Sequence, residues 1–278
     1  MRLALLFSAA AASAILAALM ATADGTPPPH VTRLDTLVAD LRAQTLAGLR
    51  FNGTGDVLND HVNGHLILWK EDGNPFAENR SLCNQLVTIA LKTGWGTTDE
   101  AWKAKTGYNY PSSEHIYEAI RDGKGFVRIT SLDGVLAGDV LAWWYIDDPS
   151  TGYPSTTGHS AVVRSLGPVV VYKFPKKSTT VRFRDLEVFD SSNSGHSMDT
   201  RSFLAGELGA GSAAAEWKGA GRGWMRIYVD AAGNYLGYTW SLTGTKTQPP
   251  GTPPSYSYYS KQFKSEALRH FIVGRYLP

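Results

Sequence analysis

The order of local patterns along the chain limits its fold more than any other feature, because helical patterns come first and strand patterns fill most of the rest. Residues 31–49 show helical spacing, with an apolar stripe made of Leu34, Leu37, Val38, Leu41 and Leu49. Further helices are predicted at residues 81–94, 98–105 and 112–122. From residue 126, strand patterns occur at 140–145, 159–164, 169–174, 181–184, 186–189, 225–229, 235–240 and 271–276. This order predicts an α+β fold, with N-terminal helices packed on an antiparallel sheet.

Two stretches between the predicted strands lack any regular pattern. Residues 191–223 are rich in Gly, Ala and Ser, and residues 243–260 are rich in Pro, Thr, Ser and Tyr. Long loops of this kind usually shape or cover a functional site rather than build the core. We therefore expect two long insertions in a single domain.

The first 23 residues have the pattern of a secretory signal peptide. Arg2 precedes an apolar run over residues 3–20, and Ala21-Thr22-Ala23 provides a cleavage pattern, so cleavage is expected after Ala23. The alternative is an uncleaved membrane anchor. The predicted mature domain, residues 24–278, is secreted or periplasmic and contains no second apolar stretch long enough to span a membrane.

The charge of the mature domain argues against a nucleic-acid partner. Removal of Arg2 with the leader leaves 26 basic residues against 25 acidic residues, a net charge of +1. Such a balance gives no reason to expect binding to nucleic acid or to a strongly anionic surface. The sequence does not indicate an oligomeric state.

Cys83 is the only cysteine, and it falls in the first turn of the helix predicted at residues 81–94. Ser81 is expected to cap this helix and Gly94 to end it. The free N–H groups and partial positive charge of a helix N-terminus favour a thiolate, as a nucleophile requires. A lone cysteine in an exported protein has no disulfide partner. The alternative is an inert thiol that is buried as a small apolar side chain.

A thiol nucleophile needs a base and a third group that orients the base. His159 begins a predicted strand directly after Gly158, and Asp190 ends another strand on the same face as its apolar residues. The alternatives are an exposed strand-end histidine and an aspartate that caps the turn at residues 191–192. His196, six residues beyond Asp190, is a rival for the base.

Two further roles, that of metal ligand and that of oxyanion donor, have candidate residues in the sequence. His61 and His65 are four residues apart, but Asn63 and Gly64 between them disfavour a helix, so no metal site is predicted. The oxyanion of an acyl-transfer intermediate needs a second donor besides the Cys83 N–H. Three side chains are near enough in sequence to supply it: Asn79, Asn84 and Gln85.

The order of these blocks resembles a known family. A cysteine at a helix start is followed by GDVLAWWY at 138–145, GHSAVV at 158–163 and VFDSS at 188–192. The span 81–192 resembles the NlpC-type cell-wall cysteine peptidases, and it is similar to the neighbouring CHAP amidases of the papain-like class. The resemblance implies a papain-like (NlpC-like) fold, with Cys83 as the nucleophile, His159 as the base and then the acid, and Asp190 orienting His159. It also implies hydrolysis of amide bonds in bacterial cell-wall peptides without a cofactor.

Two other functions fit the same sequence. The acyl intermediate on Cys83 could pass to an amine instead of water, as in an acyltransferase or transglutaminase-like enzyme. A non-catalytic exported binding protein on the same scaffold would instead keep Cys83 buried and unreactive, with loop aromatic residues making the contacts.

Overall fold

Five helices lie within the residues that the structure, a computed structural model, describes: 26–145, 158–201, 218–244 and 247–278. They are α1 (Pro29–Leu46), α2 (Cys83–Trp95), α3 (Asp99–Thr106), α4 (Ser113–Arg121) and α5 (Tyr256–Gln262). Four of them precede the main sheet, as the sequence order predicts. Thr98 caps α3 and Ser112 caps α4 through their side-chain oxygens.

An eight-stranded antiparallel sheet forms the centre of the described fold. Its strands are β4 (Phe126–Ile129), β5 (Val140–Tyr145), β6 (His159–Lys173), β7 (Thr180–Ser192), β8 (Gly219–Val229), β9 (Tyr235–Thr239), β10 (Lys264–Ser265) and β11 (Arg269–Tyr276). They lie in the order β10-β9-β8-β7-β6-β5-β11-β4. The predicted α+β fold is confirmed.

A second, small sheet precedes α2. It consists of β1 (Asn59–Asp60), β2 (His65–Leu68) and β3 (Glu78–Ser81), with β3 in the middle, parallel to β1 and antiparallel to β2. The sequence pattern did not predict this sheet because its strands are only two to four residues long. Its central strand leads directly into α2 and so determines where that helix begins.

Each face of the large sheet contributes to a different apolar core. One face packs against α1, α2 and α4, and the alternation along β5 directs Val140 and Ala142 to this side. Leu141 and Trp143 point to the other face. There the ring of Trp143 of β5 lies 5.3 Å from that of Tyr238 of β9. Since three strands separate β5 from β9, this contact requires the sheet to curl.

Several predicted boundaries are wrong. Helix α1 ends at Leu46, so Leu49 lies outside it and is 55% exposed. The predicted strands 159–164 and 169–174 form one strand, β6, with irregular pairing where they meet, and 181–184 and 186–189 likewise join in β7. Where the pairing register shifts within a strand, the hydrophobic pattern of the sequence is interrupted. The sequence then indicates two strands, although the backbone pairing continues through the irregularity.

The predicted insertions are shorter than expected. Ser191 and Ser192 complete β7, residues 219–223 begin β8, and α5 occupies the end of the second stretch. The predicted signal peptide lies outside the described residues. Within the ranges given above, no helix has both the length and the apolar character needed to cross a membrane.

Candidate active site

Cys83 is the first residue of α2, where the first backbone N–H groups have no partner within the helix. Two predicted boundaries of this helix are wrong. Ser81 belongs to β3 and donates its hydroxyl to Asn79 Oδ1 at 2.6 Å instead of capping the helix. At the other end, the helix continues past Gly94 to Trp95, and Gly96, which follows it, has the left-handed φ of 62°. The N-terminal position of Cys83 is unaffected by either correction.

His159 lies beside the Cys83 thiol at the start of β6, close enough for each side chain to shift the pKa of the other. Its Nε2 lies 3.0 Å from Oδ2 of Asp190, so Nδ1 is the ring atom left for the sulfur. Gly158 makes this placement possible. It has a φ of 109°, and a Cβ there would lie 1.8 Å from the backbone oxygen of Trp143. The backbone at Gly158 thus approaches Trp143 more closely than any residue with a Cβ would allow.

The structure brings together the three residues predicted for the site: Cys83, His159 and Asp190. Burial alone would raise the pKa of Cys83, but the charge of His159 and its hydrogen bond lower that pKa below its ordinary value. Burial likewise opposes a charged His159, yet the field of Cys83 and the hydrogen bond to Asp190 raise its pKa to about 10. Both shifts favour a thiolate–imidazolium pair over two neutral groups.

Ser113, the first residue of α4, is a second neighbour of the sulfur. Its Oγ lies 3.7 Å from Cys83 Sγ and accepts a hydrogen bond of 2.8 Å from Ser160 Oγ. Because that bond occupies an oxygen lone pair, the Ser113 hydrogen is available for the sulfur. The backbone of Ser160 also hydrogen-bonds Cys83, and both contacts lower the thiol pKa. Ser113 is not predicted from the sequence, because no local pattern links the start of α4 to Cys83.

Asp190 is fully buried and contacts three basic side chains. Arg201 Nη2 donates to its Oδ1 at 2.7 Å, while Nε2 atoms of His159 and His196 lie 3.0 and 3.2 Å from Oδ2. Burial would raise the pKa of Asp190, but Arg201 and the histidines hold it well below its ordinary value. Asp190 therefore stays ionised and does not act as a cap for the turn that follows it.

His196, the rival for the base, occupies the far side of this carboxylate. Its Nδ1 donates to the backbone oxygen of Trp240 at 2.7 Å, and its Nε2 faces Asp190. Its ring is fully buried and stacks on the Trp240 indole at 4.2 Å between centroids. Since both ring nitrogens are directed to other groups, the geometry favours His159 as the partner of Cys83.

His61 also lies close to the site. Ser191 donates its hydroxyl to Ser81 O at 2.6 Å, so at 3.2 Å the Ser191 oxygen must accept a hydrogen from His61 Nδ1. Burial, followed by the charge of His159, lowers the pKa of His61. The neutral ring then presents Nε2 without a proton, which makes it an acceptor and excludes it as an oxyanion donor in that state.

His65, the other histidine of this pair, lies on β2. His65 stacks on Tyr110 with ring centroids 3.9 Å apart. In the described part of the chain, no group of three or more His, Cys, Asp or Glu side chains could hold a metal ion.

The three amides considered for the oxyanion all have hydrogen bonds elsewhere. Asn79 Nδ2 donates to Asn59 at 3.0 Å and Asn84 Nδ2 donates to the backbone of Pro111 at 2.8 Å. The Gln85 side chain accepts from Leu82 N and donates to a neighbouring loop asparagine at 3.0 Å. These bonds shape the loops around the start of α2. The backbone N–H of Cys83, at the helix start, remains a candidate donor to the oxyanion.

The thiol and imidazole are nearly enclosed, since Cys83 and His159 are each 7% exposed. Two cavities lined by described residues, of about 450 and 360 Å³, do not include Cys83. Comparisons of the chain with protein-family models, with curated proteins and with solved structures find no match. The geometry around Cys83 and the short sequence blocks that contain it are therefore what indicates a function.

Proposed function

We propose that the chain is an exported cysteine peptidase or amidase with a papain-like fold, which hydrolyses amide bonds through a covalent intermediate on Cys83. The observation that carries this proposal is the contact of a helix-terminal thiol with His159, whose other ring nitrogen is held by the buried carboxylate of Asp190. A nucleophile, a base and an orienting group in this relation can perform acyl transfer.

The proposed reaction needs only groups of this chain and water. The Cys83 thiolate attacks the carbonyl carbon, and the backbone N–H at the start of α2 stabilises the oxyanion. His159 then protonates the departing amine, leaving a thioester on Cys83. The now neutral His159 takes a proton from water, which attacks the thioester and releases a carboxylic acid. The products are one amine and one acid for each water consumed.

The substrate class is supported by the resemblance of the Cys83, His159 and Asp190 blocks to cell-wall peptidases. Peptide stems of bacterial cell wall are therefore the first substrates to test. The parent should release new amines from soluble cell-wall fragments, and Cys83→Ala should release none. Mass spectrometry of the parent, quenched in acid during turnover, should show an acyl adduct on Cys83. Undiminished hydrolysis by Cys83→Ala would refute the proposal.

The low exposure of Cys83 supports a second candidate, a non-catalytic exported binding protein. In that case the parent produces no turnover, and Cys83→Ala binds insoluble cell wall with the affinity of the parent.

Acyl transfer is separated from hydrolysis by adding a primary amine, since a transferase converts the acyl group into a new amide while a hydrolase yields the acid.

A further inference from the structure

A buried arginine lies directly behind the carboxylate that contacts His159. Arg201 is 3% exposed, and a guanidinium has five N–H groups to satisfy. In this structure all five are used. They donate to Asp199 Oδ1 (2.8 Å), Asp199 Oδ2 (2.7 Å), Asp190 Oδ1 (2.7 Å), Ser192 Oγ (2.9 Å) and Gly219 O (2.7 Å). No N–H remains for a substrate, so Arg201 acts on the protein itself.

The bond to Asp190 determines which carboxylate oxygen faces the imidazole. Arg201 holds Oδ1, and Oδ2 is thereby directed to Nε2 of His159. Asp199 fixes the arginine in turn, because its Oδ1 also accepts from the backbone N of Arg201 and its Oδ2 accepts from the backbone N of His196. A planar guanidinium held by two carboxylates has little freedom to rotate.

Strand β8 leaves room for this arginine through alternate glycines. Gly221 lies opposite Asp190 in the sheet, and a Cβ at Gly221 would come within 2.5 Å of Arg201 Nε. A Cβ at Gly223 would meet Asp199 Oδ2 at 2.8 Å and His196 Cβ at 2.9 Å. Any larger side chain at these positions would displace the segment that contains Arg201.

We propose that Arg201 is a positioning residue of the candidate active site, which fixes the rotation of Asp190 and so the orientation of His159 toward Cys83. This inference rests on the proposed function. It goes further by assigning a role to a residue outside the resemblance, which ends at residue 192.

Loss of Arg201 has a defined consequence for the thiol. Asp190 loses its nearest cation and the hydrogen bond that fixes its Oδ1. The carboxylate then stabilises the His159 imidazolium less, and the imidazolium in turn stabilises the Cys83 thiolate less. The titratable and charged groups that act on Asp190 and His159 are Cys83, His61, His196 and Arg201, with Asp199 beyond them. Of these, Arg201 is the one that holds Asp190 Oδ1.

The test is the pH dependence of Cys83 alkylation by iodoacetamide, measured on the mature protein and its variants. In Arg201→Met, the first rise in rate should move to higher pH by about one unit, a roughly tenfold slower reaction below the parent midpoint. Arg201→Lys keeps the charge but loses the planar fork, and should shift the profile less and in the same direction. Gly221→Ala displaces Arg201 without removing it, and should also shift the alkylation profile to higher pH.

Arg226 provides a matched control. Arg226 lies on β8 and forms a fully buried pair with Asp185 of β7, at 2.6 Å. Arg226→Met should lower the melting temperature about as much as Arg201→Met and leave the alkylation profile unchanged. A shift of the profile in both arginine variants would mean that general loosening of the sheet, not positioning of Asp190, is responsible.

The outcomes separate the two proposals. If the parent thiol reacts only as an ordinary thiol, the proposed function fails. If the parent thiol is activated and folded Arg201→Met has an unshifted profile, the role of Arg201 is refuted and the proposed function stands. If Arg201→Met does not fold, Arg201→Lys and Gly221→Ala decide: an unshifted profile in both refutes the role of Arg201.

Discussion

Replacement of Asp190 by asparagine should reduce stability and thiol activation together. The carboxylate is fully buried and neutralises Arg201, so the substitution leaves a buried guanidinium with one carboxylate partner instead of two. Breaking a buried charge pair costs about 3–5 kcal/mol. Arg201 keeps its four other hydrogen bonds, and the asparagine oxygen is still an acceptor for the fifth, which places Asp190→Asn at the lower end, about 3 kcal/mol. For a domain of this size that corresponds to a melting temperature lower by roughly 6–12 °C.

The pH dependence of this loss has a defined sign. The pKa of Asp190 is held well below its ordinary value in the folded protein. Its contribution to the free energy of unfolding is therefore complete above the pKa that Asp190 has in the unfolded chain, and it disappears as the pH falls through the pKa of the folded state. The stability difference between parent and Asp190→Asn should therefore be constant near neutral pH and shrink below about pH 4. Urea denaturation at several pH values measures it.

Asp185→Asn is the control for this experiment, because Asp185 is also fully buried and paired with an arginine on the neighbouring strand. Both variants should lose stability, but only Asp190→Asn should slow alkylation of Cys83 near neutral pH. The reasoning is refuted if Asp190→Asn is as stable as the parent to within about 0.5 kcal/mol, or if both variants slow the alkylation equally.

Four further substitutions, one of them a control, test other parts of the structure. Ser113→Ala removes a hydroxyl donor to the sulfur and should raise the pKa of Cys83, moving its alkylation profile up by as much as about one pH unit. Gly158→Ala should cost about 3 kcal/mol or more, while Gly48→Ala, with a φ of 83° and open space around it, should cost about 1–2 kcal/mol in thermal denaturation. Burial lowers the pKa of His30 to about 4, so the free energy of unfolding should fall by about 3 kcal/mol between pH 6.5 and 4, and His30→Gln should abolish this slope.

Local patterns predicted the parts of the fold that depend on local physics. The strand pattern at residues 140–145 predicted β5 without error, and helical spacing predicted α2, α3 and α4 to within two residues. Side chains alternate between the faces of β5, so Trp143 is fully buried in one core and Trp144 packs beside Tyr117 and His270. Predicted boundaries were wrong where a residue pairs with a distant segment. Ser81, for example, belongs to β3 and does not cap the helix.

The candidate site was predictable only in part. The chemistry of a lone thiol, a histidine after glycine and an aspartate ending an apolar row identified three residues that the fold brings together. Ser113 and Arg201 were missed because their contacts join distant segments and depend on the fold alone. A signal for Arg201 was present in the glycines at 219, 221 and 223, since alternate glycines on one face of a strand indicate that another chain segment lies against it.

The most direct test of the central claim, that Cys83 and His159 form an ion pair, is the rate of Cys83 alkylation by iodoacetamide against pH in the parent and in His159→Ala. The account predicts that the parent reacts well below the ordinary thiol pKa of about 8.5, and that His159→Ala loses this low-pH reaction. A parent thiol that stays unreactive until the protein is unfolded would contradict the claim and favour the binding protein.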